Sequence, residues 1–248
     1  VSGYSVFIPV FNEAEIMEAN LLRLLAHLET LGRPFEVLVG SNGSTDATTA
    51  IGRRLAQSLE PVRFFHLHRR APGWAFREGV RRAEYETIIT QDMDLSVDLG
   101  FIAAALELMS RADLVIGSKK MGRQHRSPVR VAGSGAFILL ARLLLKLGYQ
   151  DYSLAAKAFR RSLVRRFEAW IGPGTSYVLN LICLAQRQGF RIKEVPVFCR
   201  DERESRFNLA REGLHRFAGL GQLWLRVRLG RGGPWPEGLD LGEEGGLQ

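Results

Sequence analysis

Short β-branched runs alternate with amphipathic helical stretches through the first half of this 248-residue chain, and that alternation leaves few folds open. Residues 5–10, 35–39, 62–67, 87–90 and 114–117 read as strands. Helices are expected at 15–31, where Leu21, Leu22, Leu25 and Leu28 recur at helical spacing, at 47–59, and near 74–84 and 98–110. Asp46 stands where it would cap the helix that follows it. The alternation predicts an α/β fold, a mostly parallel central sheet flanked by helices. In such sheets ligands bind beyond the carboxyl ends of the strands. Function is therefore expected in the loops that begin at Pro9, Ser41, Asp92 and Ser118.

The second half is less regular. It predicts a helix at 137–147, a loop to Ser153, helices near 161–170 and at 176–188, and a strand at 191–199 carrying Ile192, Val195 and Val197. Residues 203–229 are basic and amphipathic, with Phe207, Leu214, Phe217, Leu220, Leu223 and Trp224 among arginines. The tail from Gly230 is rich in Gly, Pro and acidic residues and reads as disordered or appended. The expected organisation is a main domain over 1–207, an amphipathic helical segment over 208–229 and a tail over 230–248.

The length suits one well-buried α/β domain. Two cysteines, Cys183 and Cys199, make no disulfide framework and suit a reducing compartment; no further Cys or His stands at zinc-site spacing. A net charge of +8 suits nucleic acid, an anionic membrane surface or a phosphorylated small molecule. The arginines are dispersed and no nucleic-acid motif is visible, which sets nucleic acid aside. The first ten residues lack the charged-then-apolar pattern of a secretory signal. The most apolar run, 136–147, is broken by Arg142 and Lys146 and falls short of the ~20 residues that a membrane span needs.

The chemistry centres on Gln91-Asp92-Met93-Asp94-Leu95-Ser96, which follows an apolar strand. Two carboxylates one residue apart at a strand end can share a hard divalent cation, Mg²⁺ or Mn²⁺, together with a diphosphate. Such a cation offsets the charge that builds on a departing diphosphate. Upstream, Ile8-Pro9-Val10-Phe11-Asn12-Glu13 and Gly40-Ser41-Asn42-Gly43-Ser44-Thr45-Asp46 close two strands, and Arg70-Ala71-Pro72-Gly73-Trp74 opens a helix.

In order and spacing these motifs resemble family 2 glycosyltransferases of the GT-A fold, from about residue 4 to about residue 207. The narrower resemblance is to dolichol-phosphate mannose synthases and related polyprenyl-phosphate glycosyltransferases. It rests on Gly117-Ser118-Lys119, Arg130 with Ser134, Lys157-Ala158-Phe159-Arg160, Gly189-Phe190-Arg191-Ile192-Lys193-Glu194-Val195-Pro196-Val197 and Ser205-Arg206. The resemblance implies a Rossmann-like domain, a nucleotide-sugar donor (GDP-mannose ahead of UDP-glucose), a polyprenyl phosphate acceptor and a bound Mg²⁺ or Mn²⁺. Pro9, Phe11, Glu13 and Asn42 would then line the nucleoside pocket. Asp92 would face the ribose and the diphosphate, Asp94 and Ser96 would stand on the metal side, and Arg203 and Arg206 would approach the diphosphate. Lys119, Arg130 and Ser134 would receive the acceptor's phosphate.

The chain departs from the family pattern in four places. Ser41-Asn42 replaces a customary Asp-Asp, Ser96 a frequent Gln, Leu154-Ala155-Ala156 a Ser-Gly-Phe, and Asn180 a helix Glu. An acceptor phosphate is already an anion near pH 7 and needs no general base, so positioning and cationic groups would carry catalysis. A sugar or small-molecule hydroxyl would need a carboxylate within reach, and Asp151 is the candidate. A catalytically silent nucleotide-sugar-binding scaffold is the other alternative. The segment 203–229 either lies on an anionic membrane, with the enzyme peripheral to its cytoplasmic face, or packs on the protein's own core; the charge balance favours the membrane.

Overall fold

The computed structural model describes residues 2–119, 121–122, 124–125, 128–152, 154–200 and 209–229. Its strands are β1 (Tyr4–Val10), β2 (Phe35–Asn42), β3 (Val62–Leu67), β4 (Thr87–Thr90), β5 (Leu114–Ser118), β6 (Gln124–His125), β7 (Lys157–Arg160), β8 (Ile192–Pro196) and β9 (Cys199–Arg200). The helices are α1 (Met17–Thr30), α2 (Thr48–Ser58), α3 (Pro72–Arg82), α4 (Gly100–Leu108), α5 (Pro128–Leu145), α6 (Arg161–Arg166), α7 (Tyr177–Arg187) and α8 (Leu209–Leu229), with a 3₁₀ turn at Glu168–Trp170. Seven strands form one sheet in the order β3-β2-β1-β4-β7-β5-β8, and β6 pairs with β9 in a second, two-stranded ribbon.

The central strands are buried on both faces, as covered parallel strands must be. Alternate residues of β1 divide between two cores. Tyr4, Val6, Ile8 and Val10 pack with Leu21, Leu24, Leu25 and Leu28 of α1 and with Phe101 and Ile102 of α4. Phe7 faces the other layer, against Phe65, Phe76 and Val80. Gly79 of α3 lets that layer close, because a Cβ there would overlap the ring of Phe7.

The parallel sheet predicted from the sequence is present, with one strand that was not foreseen. β7 runs antiparallel between β4 and β5, pairing Thr90 with Lys157 and Ile116 with Lys157. Several boundaries also differ. β2 continues through Asn42, α5 begins at Pro128 rather than near 137, and the strand expected over 191–199 divides into β8 and β9. Ala47 precedes α2 without a side-chain cap; Asp46 instead accepts the Thr48 N–H on Oδ1 at 2.9 Å.

At the C-terminal end, α8 packs against α5. Leu220 and Leu223 are buried in the core and Phe217 meets Phe137 edge to face. One face of the amphipathic segment therefore serves the protein's own core. Among the described residues no helix is long and apolar enough to cross a membrane. Arg203, Arg206 and the tail from Gly230 lie outside the described residues.

Candidate active site

β1, β2, β4 and β5 run in the same sense relative to the sheet, so the loops after Val10, Asn42, Thr90 and Ser118 gather at one edge. The antiparallel β7 delivers its first residue, Lys157, to that same edge. Four loops and one reversed strand thus converge there.

The two upstream loops are laced together. Asn42 is buried and donates through Nδ2 to the carbonyl of Val10 at 2.9 Å. The Glu13 N–H donates to the Thr48 hydroxyl at 2.8 Å, and Asn12 accepts the Thr45 N–H at 2.8 Å. Asn12 adopts a left-handed backbone (φ 54), one that asparagine tolerates better than most residues. Gly43 (φ 75) lies so close to the backbone of Arg70 that a Cβ would stand 2.7 Å from its nitrogen. Arg70 in turn lies over the ring of Phe11, 4.2 Å from the centroid. Pro9, Phe11 and Glu13 are half-buried beside these contacts. Ser41 is fully buried; its hydroxyl donates to that of Ser44 and meets Nδ1 of His66 at 3.0 Å.

The loop after β4 carries Asp92 and Asp94, both half-buried. Asp94 Oδ1 accepts the Ser96 N–H at 2.9 Å, and Leu95 between them takes a positive φ of 49°. Gln91, fully buried, anchors the loop by donating to the carbonyl of Val97, while Asn20 of α1 holds the carbonyl of Met93. Burial first, and then the neighbouring charge of Asp94, pushes the Asp92 carboxyl up to about 7, against the opposing pull of Lys157 and Lys119. Among the described residues no group of three or more His, Cys, Asp and Glu converges on a metal position. Two carboxylates that leave the remaining positions to substrate oxygens suit Mg²⁺-type binding.

Of the residues expected on the acceptor side, Lys119 is more deeply placed than a surface charge would be. Lys119 is buried with its Nζ 3.6 Å from Asp151 Oδ2, and Asp151 has no exposed surface. Arg130 and Ser134 both fall within α5, Ser134 half-buried. Two further residues belong to this edge: Lys157, which the Lys157-Ala158-Phe159-Arg160 motif contains but to which it assigns no role, and Tyr177, which no motif contains. Lys157 is fully buried, and burial lowers its ammonium to about 8 despite the charge of Asp151. Tyr177 opens α7, stacks on Phe76 at 4.6 Å, and has its hydroxyl held above the usual range by burial and by the charge of Asp92. A tyrosine after a Gly-Pro-Gly turn carries no local signal of this placement, and the motif that opens with Lys157 gives its lysine no site role.

The comparisons agree with this geometry. The model of "Glycosyl transferase family 2" matches residues 5–167. Glycosyltransferase AglD of Haloferax volcanii is 28% identical over 231 residues, which cover 90% of this chain and 36% of that protein. Undecaprenyl-phosphate 4-deoxy-4-formamido-L-arabinose transferase of Pectobacterium atrosepticum is 28% identical over 66% of this chain and 50% of its own length. Polyprenol monophosphomannose synthase of Mycolicibacterium smegmatis is 28% identical over 77% of this chain and 75% of its own. The chain thus spans between a third and a half of the first two relatives. Among solved structures, glucosyl-3-phosphoglycerate synthase from Mycobacterium tuberculosis, in complex with Mn²⁺, UDP and phosphoglyceric acid, superposes with a TM-score of 0.68 at 19% identity, over 90% of this chain and 78% of that one. That likeness places the fold in the GT-A class. With paired carboxylates at the sheet edge and a family model across most of the main domain, the chain belongs to glycosyl transferase family 2.

Proposed function

We propose that this chain transfers a hexose, with inversion at the anomeric carbon, from a nucleotide sugar to a polyprenyl phosphate. The observation that carries the reading is the placement of the Asp92–Asp94 pair at the sheet edge, near buried Lys119 and Lys157. Asp92 and Asp94, with Ser96 beside them, would hold Mg²⁺ or Mn²⁺ together with the donor diphosphate. Bound there, the ion supplies charge neutralisation to the leaving diphosphate. Pro9, Phe11 under Arg70, Glu13 and Asn42 would hold the nucleoside; the Asn42 Nδ2 is engaged with Val10, which leaves its amide oxygen as an acceptor. Lys119, Arg130 and Ser134 would receive the acceptor's phosphate, and Arg203 and Arg206 would face the diphosphate.

Two relatives bear names that speak of lipid phosphates, a polyprenol monophosphomannose synthase and an undecaprenyl-phosphate sugar transferase. They support the acceptor class, and the first name supports mannose as the sugar. The setting of Asp151 supports it further: its carboxylate takes the N–H groups of Lys119 and Leu154 and faces the ammonium of Lys119. A group so engaged is poorly placed to remove a proton from a hydroxyl. The enzyme would work at the cytoplasmic face of an anionic membrane. α5 buries Phe137, Ile138, Ala141 and Leu145 but exposes Leu139, Leu140, Leu143 and Leu144 beside exposed Arg142 and Lys146. The apolar surface offered to a bilayer is thus chiefly that of α5, while α8 keeps one face for the core.

The test is a transfer assay with purified protein, Mn²⁺ or Mg²⁺, a short polyprenyl phosphate and a panel of labelled nucleotide sugars. Metal-dependent label in the lipid is expected, and Asp94→Ala should remove it while the protein stays folded. Wild-type rates in that variant would sink the metal assignment. A donor hydrolysed with metal but never transferred to the lipid would point to a different acceptor.

A further inference from the structure

Lys157 heads β7 with no exposed surface. Its ammonium donates to the carbonyls of Leu154 at 2.7 Å and Ala156 at 3.3 Å. Carbonyl dipoles supply no countercharge, and an ion kept from water needs one. The charges that act on it are Asp151, Lys119, Glu194 and Asp92, with Asp151 the strongest attraction.

The geometry of the loop at 151–157 explains the arrangement. Leu154 is gripped at both ends of its peptide: its N–H goes to Asp151 Oδ1 at 3.3 Å and its carbonyl to Lys157. The other oxygen of Asp151 takes the Lys119 N–H at 3.4 Å and stands 3.6 Å from Lys119 Nζ. On the far side, the Thr90 hydroxyl donates to the carbonyls of Ala155 and Lys157, which fixes the loop two residues ahead of Asp92. Glu194, from the neighbouring β8, accepts the Gln150 N–H at 2.7 Å and completes the cluster.

We propose that Lys157 is a positioning residue for the acceptor, holding Asp151 in the folded 151–157 loop so that Asp151 sets Lys119 where the acceptor's phosphate enters. This rests on the reading of a polyprenyl phosphate acceptor. Lys157 adds one unit of positive charge beside Lys119, facing the carboxylates of Asp151, Glu194 and Asp92. Without it the site is one charge more negative, and an arriving phosphate anion is held less well. The hydrogen bonds alone do not require a charge, because a glutamine amide also offers two donors to two carbonyls. Lys157→Gln therefore separates the charge from the loop's hydrogen bonds.

The experiment is steady-state transfer by the full chain, varying the short polyprenyl phosphate and the labelled nucleotide sugar in turn, for wild type, Lys157→Gln and Lys157→Met. The acceptor KM is expected to rise about 10-fold in both variants, the scale of one unit charge acting across about 12 Å through an effective dielectric of about 20. The donor KM should rise by less than the acceptor KM, and Lys157→Gln should stay folded by circular dichroism. An unchanged acceptor KM, or donor and acceptor KM rising equally, overturns the proposal. Failure of both variants to fold places Lys157 in the scaffold alone and overturns it as well. Wild-type protein that labels no lipid ends the acceptor reading and this one with it, whereas wild-type transfer with an unaltered variant ends this one only.

Discussion

At the scale of single residues, two aspartates separate stabilising charge from reacting charge. Asp113 accepts from Arg160 Nε at 2.9 Å and from the side chain and N–H of Arg191, which hold its carboxyl down to about 2. A carboxylate depressed from 3.8 stabilises the fold fully above its unfolded value, and that contribution is lost as pH falls from about 4 to about 2. With Arg191 more than half exposed, solvent screening trims the effect, and Asp113→Asn should cost about 1–2 kcal/mol at pH 7. Urea unfolding at several pH values checks this: the gap between wild type and variant should close toward pH 2, and a gap that stays constant would mean that charge is not its origin. Asp151 is the other case. General-base catalysis is worth about 10²–10⁴-fold, so Asp151→Asn should collapse turnover if it removes a proton from a hydroxyl acceptor. On the phosphate reading kcat falls less than about 10-fold, and the visible costs are a raised acceptor KM, because Lys119 loses its partner, and lower stability, because a buried charge pair has been broken. A kcat loss of about 100-fold with donor binding intact would favour a hydroxyl acceptor.

Elements fall into those with a local signature and those that exist by pairing. β1 and β4 were legible because β-branched residues run through them, β3 because Val62, Phe64, Phe65 and Leu67 make a short apolar run, and α1 because its leucines keep one face. The Asp92–Asp94 loop was legible because carboxylates at a strand end have few structural uses. β7 was not legible. Its four residues begin and end in basic side chains and show no clean alternation, and its antiparallel place between β4 and β5 depends on partners 65 or more positions and about 40 positions away. Lys157 shared its obscurity, as did Tyr177, whose approach to Asp92 follows from how α7 docks. Helix docking also explains Gly73. Its N–H donates to the carbonyl of Pro173 at 3.1 Å, and a Cβ there would overlap the carbonyl of Gly172. Gly73→Ala should destabilise by about 1–3 kcal/mol through that overlap. Gly133 in α5, with open space around a Cβ, should tolerate alanine and gain up to about 1 kcal/mol from helix propensity. Denaturant midpoints for the two variants decide the matter; equal midpoints would contradict the close approach of α3 to the 172–174 turn.

The whole molecule carries a net charge of +8, and among the described residues its two most exposed leucines stand on one helix. Leu139 is 58% and Leu143 67% exposed, one turn apart on α5, with Leu140 and Leu144 alongside. A helix that hides one face in the core normally turns charge to the other. Here the outward face mixes leucines with Arg142 and Lys146, the composition of a surface that meets headgroups and acyl chains together. The same helix contains Arg130 and Ser134, so contact along α5 would bring a lipid phosphate to the residues proposed to receive it. Charge and apolar contact leave different marks. Attraction to an anionic surface weakens as the Debye length shrinks from about 10 Å at 0.1 M salt to about 3 Å at 1 M. Burial of leucine does not weaken in this way, and a fully buried leucine is worth about 1.5–3 kcal/mol. Flotation with vesicles containing anionic lipid should therefore recover the protein at 0.1 M salt and less of it at 1 M. Leu139→Ser with Leu143→Ser should weaken the binding by about 10-fold or more at either salt, while the circular dichroism of α5 and the rest of the fold is kept. Binding that ignores the double substitution would move the contact surface away from α5, and wild-type protein that never floats would remove the membrane from the proposal altogether.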